Sequence, residues 1–376
     1  MKNQHSEQRG VSLFLILFTV LLSAAVLLAM LTMGSKTHNS AAGNTDVRAI
    51  YRQNLTNQIS TVLDGMVPIQ RVYTLNDSDI VAPKPDPACY GEAENAEAMQ
   101  EILNRANVLL AGQKTLFTAQ TQIKPGTKIS YYLDETIFAV TWKQVVDDST
   151  YTFSEVKIAH ASQMRRFMSG GKYNSGILHT TTEMSESVNA VMASSGDYYG
   201  YREIGIVVND GQVYRDRGHY LDTCYIDDKG DLLFTYAGDY TKKEDIQAFV
   251  DANNVRFSIC FGPVMILDGE YCVPERYNSG EINDPYARAA LCQMGPLHYV
   301  VVAANAEEPN YSMPTVAKFG QRLHEMGIPV AYALDGGQTA AIVMNDQLIN
   351  TVSYGSQRKI SDIFYFATAL PEDGKE

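Results

Sequence analysis

The chain has 376 residues, of which 45% are hydrophobic, and its formal net charge at pH 7 is −13. A chain of this length exceeds what one hydrophobic core usually serves, so we expect one large domain with a smaller appendage. The acidic balance argues against nucleic acid and other polyanionic partners.

Residues 11–33 carry no charged side chain and are mostly apolar. A helix of about 20 apolar residues spans the bilayer core, so this stretch is predicted to be a transmembrane anchor. Lys2 and Arg9 precede it, which favours a cytoplasmic tail at 1–10 and an extracytoplasmic remainder at 34–376, on the outer side of the cell membrane. A cleaved signal peptide is the alternative, but its apolar region is ordinarily about 7–15 residues long.

Residues 34–130 are predicted to form a helical stalk and spacer. The segment from Thr45 to Met66 places apolar residues mostly three to five positions apart, which indicates a helix. Three prolines between 83 and 87 then break regular structure. A second helix is predicted to begin near Ala96 and to end at Gly112.

Residues 131–376 form the predicted main domain, in which short β-branched and aromatic runs alternate with turn dipeptides. Asp210-Gly211, Lys229-Gly230 and Asp268-Gly269 are typical of tight hairpin turns. The predicted fold class is α+β: an N-terminal transmembrane helix and helical stalk, followed by a mixed, strand-rich α/β domain.

Near the end of the domain, the hydrophobic period changes from that of strands to that of a helix. A strand is predicted at 298–305, and Val316, Phe319, Leu323 and Met326 then lie on one helical face, with Gly327 as the stop. The next apolar run, 328–334, is typical of a strand buried on both faces. This β-α-β unit would place Asp335 at the carboxyl end of a core strand, where α/β folds usually bind ligands.

Asp335 is followed directly by two glycines, Gly336 and Gly337. Glycines adopt positive φ easily and let a ligand approach the backbone, so this segment could enclose a small group while the carboxylate points at it. The alternative is a tight turn in which the aspartate accepts hydrogen bonds from neighbouring amides.

Other segments raise the prospect of a site. Asp197 follows Gly196, and the dipeptide Gly262-Pro263 ends an apolar strand. Arg288 lies among alanines, where a buried guanidinium needs an anion such as phosphate or carboxylate. Each also has an ordinary structural interpretation, as a turn, a strand end or an internal salt bridge.

Taken in order, the segments SGDYYG, IVVNDGQVYRD, FGPVMILDGEY, RAAL, LDGGQTAAIVMND and RKISDIFYF resemble the phosphodiester glycosidase family over roughly residues 135–370. The resemblance implies a mixed α/β fold. It also implies an enzyme that removes a sugar linked through its anomeric carbon to a phosphodiester, which leaves a phosphomonoester on the other partner.

The resemblance implies roles for three candidate catalytic residues. Glycosidases need carboxylates against an oxocarbenium-like transition state, and this chemistry assigns Asp335 to the reacting sugar or the attacking water, with Asp197 as the second carboxylate. Arg288 would bind the phosphate. The candidate substrate-binding residues are Ser195, Gly196, Gly262, Pro263, Gly336, Gly337, Gln338 and Thr339.

The sequence departs from the usual family pattern at several of these positions. Ser195 stands where asparagine is usual, Gln338 and Thr339 replace a glycine and a serine, and the segment after Arg288 reads Ala-Ala-Leu-Cys instead of Thr-Ala-Ile-Gly. These changes lie at the expected site, as they would for an altered substrate or a lost activity.

The five cysteines show no C-x-x-C spacing, and no cofactor or metal is predicted, although a divalent ion held by scattered aspartates would leave no recognisable motif. Cys260 and Cys272 flank a predicted hairpin and could pair in an oxidising compartment. The alternative is that all are small buried residues: Cys89, Cys224, Cys260, Cys272 and Cys292.

The leading functional hypothesis is a membrane-anchored extracytoplasmic glycosidase that hydrolyses sugar-1-phosphodiester linkages in surface or secreted glycans. Its partners would be a phosphorylated glycan and, through 11–33, the membrane. The rival hypothesis is an inactive surface module that binds phosphorylated glycans in the same pocket. A third is a scaffolding protein that assembles through its stalk.

Overall fold

The computed structural model describes residues 73–76, 79–119, 128–278 and 282–371. All of these belong to the second of two compact units, Thr45–Glu376. The predicted anchor at 11–33 and the first predicted stalk helix lie outside the described residues. Within the described ranges, no helix combines the length and the hydropathy that a membrane span requires.

The described residues contain five α-helices. The first and the fifth match predicted helices. The first begins after the N-cap Asn95 and the fifth after the N-cap Thr315, and each N-cap side chain accepts a hydrogen bond from a backbone N–H group. Val316, Phe319 and Leu323 are buried as expected. The helices are α1 (Ala96–Leu110), α2 (Leu116–Ala119), α3 (Thr181–Ser187), α4 (Lys243–Ala252) and α5 (Val316–Glu325).

The largest sheet has nine strands, and all its pairings are antiparallel. Its spatial order is β1 (Tyr90–Ala93), β2 (Ile129–Leu133), β3 (Ile137–Val146), β4 (Ser149–Ile158), β15 (His298–Asn305), β14 (Arg288–Gly295), β16 (Val330–Leu334), β12 (Val264–Leu267) and β13 (Glu270–Tyr271). Because β14 pairs antiparallel with both β15 and β16, the last two are parallel to each other, and α5 connects them.

Two five-stranded antiparallel sheets complete the described fold. One has the order β10 (Leu232–Thr235), β9 (Thr223–Asp227), β11 (Val255–Ile259), β7 (Gly205–Asn209) and β8 (Gln212–Arg217). The other has the order β18 (Gln347–Leu348), β17 (Ile342–Met344), β6 (Met192–Ser195), β19 (Asp362–Phe366) and β5 (Met164–Met168). At the β7–β8 turn, Asp210 and Gly211 both have positive φ, which the predicted hairpin turn requires.

Two hydrophobic clusters cover the two faces of the nine-stranded sheet. Strand β16 contributes to both, since Ala331 and Ala333 pack on the side of α1 and α5, while Val330, Tyr332 and Leu334 pack on the opposite side. This burial on both faces explains its continuous apolar sequence. The strand that precedes Asp335 is therefore held firmly in the centre of the fold.

Residues 90–119 lie within this fold and not in a separate spacer, although the predicted boundary was at residue 130. Strand β1 pairs with β2 along Tyr90–Ala93, and α1 buries Met99 and Ala106 completely in the sheet's core. The pairing joins segments about forty residues apart along the chain, which local periodicity does not reveal.

All five cysteines are free thiols, so the possible pairing of Cys260 with Cys272 is not formed.

Glu155 attaches the start of α2 to the sheet. Its side chain is completely buried, and its carboxylate accepts hydrogen bonds from the backbone N–H groups of Leu116 (2.6 Å) and Phe117 (2.8 Å). Nε2 of His298, on β15, lies 2.8 Å from the same carboxylate. One acid thus satisfies two helix-terminal donors and a buried imidazole.

We expect Glu155→Ala to lower the free energy of unfolding by about 3–5 kcal/mol, because it leaves buried donors without partners. Urea denaturation of the purified protein measures this change. The control is Glu325→Ala, which removes an exposed partner of Arg322 and should cost less than about 1 kcal/mol. Equal losses in the two variants would contradict the proposed anchoring role of Glu155.

Candidate functional site

Asp335 lies where the sequence analysis placed it, directly after β16. The two glycines that follow allow a close backbone approach, but to the chain itself. A Cβ on Gly336 would lie 2.1 Å from the carbonyl oxygen of Ala287, and the N–H of Gly337 donates to the same oxygen at 3.0 Å. Gly337 has a φ of +63° and open space where a side chain would project. The glycines therefore fix Asp335 against the start of β14.

The carboxylate of Asp335 is only half satisfied. Oδ1 accepts a hydrogen bond from the N–H of Gly336 at 2.9 Å, whereas Oδ2 is buried and has no hydrogen-bond partner. Burial raises the pKa of Asp335, and the neighbouring Thr339 side chain together with the positive charges of Arg202 and Arg358 opposes that shift. An acceptor oxygen held without a partner near two cations is available to a ligand.

Arg202 is held in place from two sides. Its Nη2 lies 3.4 Å from Oδ1 of Asp197, and its guanidinium carbon lies 5.1 Å from the ring centroid of Phe261 and 5.8 Å from that of Tyr198. The Nε atom is buried and has no hydrogen-bond partner. Arg202 therefore retains a donor that is not used within the protein.

Arg358 lies on an aromatic pair. The rings of Tyr198 and Tyr201 stack with centroids 4.8 Å apart, and the guanidinium carbon of Arg358 is 5.9 Å and 5.8 Å from their respective centroids. Its Nη1 also donates to the hydroxyl of Tyr198 at 3.0 Å. Cation–π contacts of this kind favour a fixed orientation of the guanidinium.

The predicted substrate-binding residues Gln338 and Thr339 mainly hold the loop together. Nε2 of Gln338 donates to the carbonyl oxygen of Ser356 at 3.1 Å, and the carbonyl of Gln338 accepts from the N–H of Arg358 at 3.2 Å. The hydroxyl of Thr339 donates to the carbonyl of Gly336 at 2.5 Å. Both side chains thereby support Asp335 and Arg358.

Asp197 is 3% exposed and is already engaged by protein groups. Its Oδ2 accepts from the N–H of Cys260 at 3.1 Å, and its Oδ1 faces Arg202. Burial raises its pKa, against the opposing charges of Arg202 and Arg166. The structure therefore places Asp197 as a support for Arg202.

Asp197 is positioned in turn by a buried ion pair. Nε of Arg166 lies 2.7 Å from Oδ2 of Asp362, with both side chains at most 1% exposed, and Oδ1 of Asp362 accepts from the N–H of Asp197 at 3.0 Å. A Cβ on Gly196 would lie 2.6 Å from Oδ2 of Asp362. Position 196 therefore requires glycine, because any side chain would collide with the carboxylate of Asp362.

The other predicted binding residues surround the same region. The Oγ of Ser195 is buried without a hydrogen-bond partner. Gly262 has a φ of +77°, and a Cβ there would lie 2.0 Å from the hydroxyl of Tyr277. The carbonyl of Pro263 accepts from the N–H of Ala333 at 3.0 Å, which pairs this segment with β16. Gly262 therefore makes room for Tyr277.

Arg288 does not pair with Asp335 as expected. Its Nε donates to the carbonyl of Pro314 at 3.3 Å and its Nη2 to the carbonyl of Asp284 at 2.6 Å, and its guanidinium carbon lies 5.7 Å from the ring centroid of Tyr286. Although Arg288 begins the strand beside β16, these contacts hold its side chain against the 284–286 segment. The arginines whose positive charges lower the pKa of Asp335 are Arg202 and Arg358.

Neither arginine was predicted from the sequence, although one follows and the other begins a segment that carries the resemblance. Arg202 comes shortly after SGDYYG, and Arg358 begins RKISDIFYF. The available signal was their position in or next to the segments that resemble the family. Among the described residues, no group of three or more histidine, cysteine or carboxylate side chains could hold a metal ion.

Comparison with known proteins supports the resemblance. Residues 187–367 match the model of the phosphodiester glycosidase family. No curated protein matches the chain significantly. Among solved structures, the chain resembles the zebrafish N-acetylglucosamine-1-phosphodiester alpha-N-acetylglucosaminidase catalytic domain auto-inhibited by its pro-peptide, with 16% identity, a TM-score of 0.49, and coverage of 66% of this chain and 86% of that one.

Two further solved structures are similar. A hypothetical protein from Synechocystis has 14% identity and a TM-score of 0.43, with 62% of each chain covered. A putative exported protein from Burkholderia pseudomallei has 11% identity and a TM-score of 0.39, with 73% of this chain and 81% of that one covered. All three likenesses are too distant to assign an activity.

We expect Asp335→Asn to stabilise the protein at neutral pH. The pKa of Asp335 is raised in the folded state, so the stability associated with its neutral form is present at low pH and is lost as pH rises through the folded pKa. Asparagine stays neutral, and its advantage over wild type should therefore grow as pH rises above about 4, the pKa of an unfolded aspartate, and level off above the folded pKa.

Thermal unfolding of wild type and variant across this range measures the difference. Asp148→Asn, an exposed substitution at a turn position that asparagine also tolerates, should follow wild type at each pH. A constant difference between Asp335→Asn and wild type would show that folding does not suppress ionisation of this carboxyl.

Proposed function

Residues 187–367 are of the phosphodiester glycosidase family, and on that premise we propose that the protein hydrolyses sugar-1-phosphodiesters. The observation that carries the proposal is the buried, unpartnered Oδ2 of Asp335, on which Arg202 and Arg358 act. The carboxylate matches the sugar, which develops positive charge in the transition state. The two guanidinium groups match the phosphate, which leaves as an anion.

Arg202 and Arg358 are the proposed phosphate ligands. Guanidinium groups offer planar pairs of N–H donors that fit phosphate oxygens. Asp197 holds Arg202, and Tyr198 holds Arg358, so neither arginine has to be ordered by the substrate. This preorganisation favours the developing negative charge on the leaving group.

Asp335 is the proposed catalytic carboxylate. The bond between the anomeric carbon and the phosphate oxygen breaks, and the phosphate takes the electron pair. A water oxygen bonds to the anomeric carbon, and its proton passes to Asp335. Since phosphate departs as a stable anion, the carboxylate works in its ionised form and needs no second acid on the leaving oxygen.

The assignments of Asp197 and Arg288 change accordingly. Asp197 becomes a positioning residue for Arg202, because both of its carboxylate oxygens are engaged within the protein. Arg288 loses the phosphate-binding role, since its guanidinium is bound by the carbonyls of Pro314 and Asp284.

Tyr354 is the proposed contact for the rest of the substrate. Its side chain is 91% exposed, and it adopts a φ of +59°, which is costly for a residue with a Cβ. Ser356, two residues later, is bound by Gln338 in the Asp335 loop. An aromatic face held outward at this position suits stacking on a sugar ring.

We expect Asp335→Asn to lower kcat on an N-acetylglucosamine-1-phosphodiester with a methyl aglycone by about 100-fold or more. Arg202→Ala and Arg358→Ala should each lower kcat/KM by about 10- to 100-fold, because each removes a charged hydrogen-bond donor to phosphate. Sugar release from the purified full chain measures all three.

Arg288→Ala is the matched arginine control and should leave kcat/KM within about threefold of wild type. A loss of kcat/KM as large as that of Arg202→Ala would instead indicate that Arg288 binds the phosphate. Binding of the diester by wild type without turnover would favour the rival function, an inactive module for phosphorylated glycans.

The proposed location is the outer face of the cell membrane, on the sequence evidence of 11–33 with Lys2 and Arg9 before it. We expect the full chain to stay with membranes during alkaline carbonate extraction and to be digested by protease added to intact cells. Deletion of 1–33 should release it. Extraction of the full chain into the soluble fraction would contradict the anchor.

A further inference from the structure

The β7–β8 hairpin contains IVVNDGQVYRD, one of the segments that resemble the family, and the proposed function assigns no role to its side chains. Arg215 belongs to this segment and lies on β8, an edge strand of its sheet. It is half-buried, whereas Tyr214 beside it is exposed. A guanidinium carries five N–H donors, so the acceptors around Arg215 show what this arginine holds in place.

The guanidinium of Arg215 binds three backbone carbonyls of one loop. Nη1 donates to the carbonyl of Arg202 at 2.7 Å and to that of Ile204 at 3.1 Å, and Nη2 donates to that of Tyr199 at 2.8 Å. These residues span the 199–204 loop, which leads into β7. Because the guanidinium is planar and rigid, it fixes the start and the end of the loop relative to each other.

Arg215 is itself held from the opposite side of the loop by Tyr173. Its Nε donates to the hydroxyl of Tyr173 at 3.2 Å, and its guanidinium carbon lies 5.9 Å from the centroid of the same ring. The Tyr173 ring also packs on Tyr199, with centroids 5.1 Å apart. All three nitrogens of the guanidinium therefore donate within the protein, which makes Arg215 a support of the loop and not a ligand of the substrate.

The 199–204 loop carries one of the proposed phosphate ligands, Arg202. The backbone carbonyl of Arg202 is bound by Arg215, while its Nη2 faces Asp197 at 3.4 Å and its Nε has no hydrogen-bond partner. The position of this backbone thus decides where the unused donor points. A misplacement of about 1 Å at a reacting group can cost about 100-fold in rate.

We propose that Arg215 is a positioning residue, which fixes the 199–204 loop so that the guanidinium of Arg202 meets the phosphate of the substrate. The inference rests on the proposed function for the identity of that substrate. The alternative is a purely electrostatic role, since the charge of Arg215 also helps to lower the pKa of Asp197. Arg215→Lys separates the two roles, because lysine keeps the charge but loses the planar fork.

Hydrogen exchange measured by mass spectrometry tests the loop without reference to activity. We expect peptides that cover 199–205 to exchange about tenfold faster in Arg215→Lys than in wild type. Arg217→Lys is the matched control: Arg217 lies on the same strand and contacts Glu203 of the same loop, but this pair is exposed, and the variant should exchange as wild type does. Equal exchange in Arg215→Lys and wild type would overturn the proposal.

Kinetics on the N-acetylglucosamine-1-phosphodiester with a methyl aglycone test whether Arg215 acts through Arg202. We expect Arg215→Lys to lower kcat/KM by about tenfold. In an Arg202→Ala background the same substitution should cost less than about twofold, because the group that it positions is gone. The same factor in both backgrounds would show a structural role unrelated to Arg202 and would overturn the proposal.

Tyr173→Phe keeps the experiment decisive if Arg215→Lys does not fold. It removes only the hydroxyl that accepts from Nε of Arg215, and it should lower kcat/KM by about two- to threefold. This loss should also disappear in the Arg202→Ala background. No loss, or an equal loss in both backgrounds, would contradict the positioning role.

Inorganic phosphate is the probe that separates this inference from the proposed function. By calorimetry, Arg215→Lys should bind phosphate about tenfold more weakly than wild type, and Arg217→Lys should bind it equally well. If wild type shows this phosphate binding but does not cleave the diester, the proposed function fails and the role of Arg215 stands. If wild type cleaves the diester and Arg215→Lys matches it in kcat/KM, the role of Arg215 fails and the proposed function stands. Neither binding nor cleavage by wild type would overturn both.

Discussion

The buried ion pair between Arg166 and Asp362 is the interaction on which the rest of the site depends. Asp362 lies on β19, and Arg166 extends from β5 to the carbonyls of Val208 on β7 and Ser258 on β11, at 2.9 Å each. It therefore connects the two five-stranded sheets. Because both partners are excluded from water, removing one would cost about 3–5 kcal/mol and leave a buried charge.

From this pair, a series of charged side chains leads to Asp335. Asp362 holds the backbone of Asp197, Asp197 faces Arg202, and Arg202 acts on Asp335. Each acid in the series is buried, and burial raises its pKa against the opposing charge of a neighbouring arginine, which is Arg166 for Asp362 and Arg202 for Asp197 and Asp335. Only at Asp335 is a carboxylate oxygen left without a partner. The catalytic chemistry proposed here follows from where this series ends.

The sequence predicted the elements that depend on local pattern. The hairpins, the helix α5 and the position of Asp335 after a doubly buried strand all follow from hydrophobic period and turn chemistry. The boundary at residue 130 was placed too late, because the pairing of β1 with β2 is a long-range contact.

The sequence did not predict the directions in which the side chains of the site point. Arg288 begins the strand beside β16, yet its guanidinium is held by the carbonyls of Asp284 and Pro314, and no spacing rule predicts that choice. The glycines were predicted to let a ligand approach the backbone. What approaches Gly196, Gly262 and Gly336 is the chain's own carboxylate, hydroxyl and carbonyl, which only long-range packing determines.

The pairing of β4 with β15 limits how this protein can be dissected. Every residue of β15 is buried and has a partner on β4, yet β4 precedes the family segment. A fragment cut to the family boundaries would expose an eight-residue apolar edge, the kind that recruits other chains into aggregates. It would also lack Arg166. The smallest self-sufficient unit therefore extends well upstream of the homologous segment.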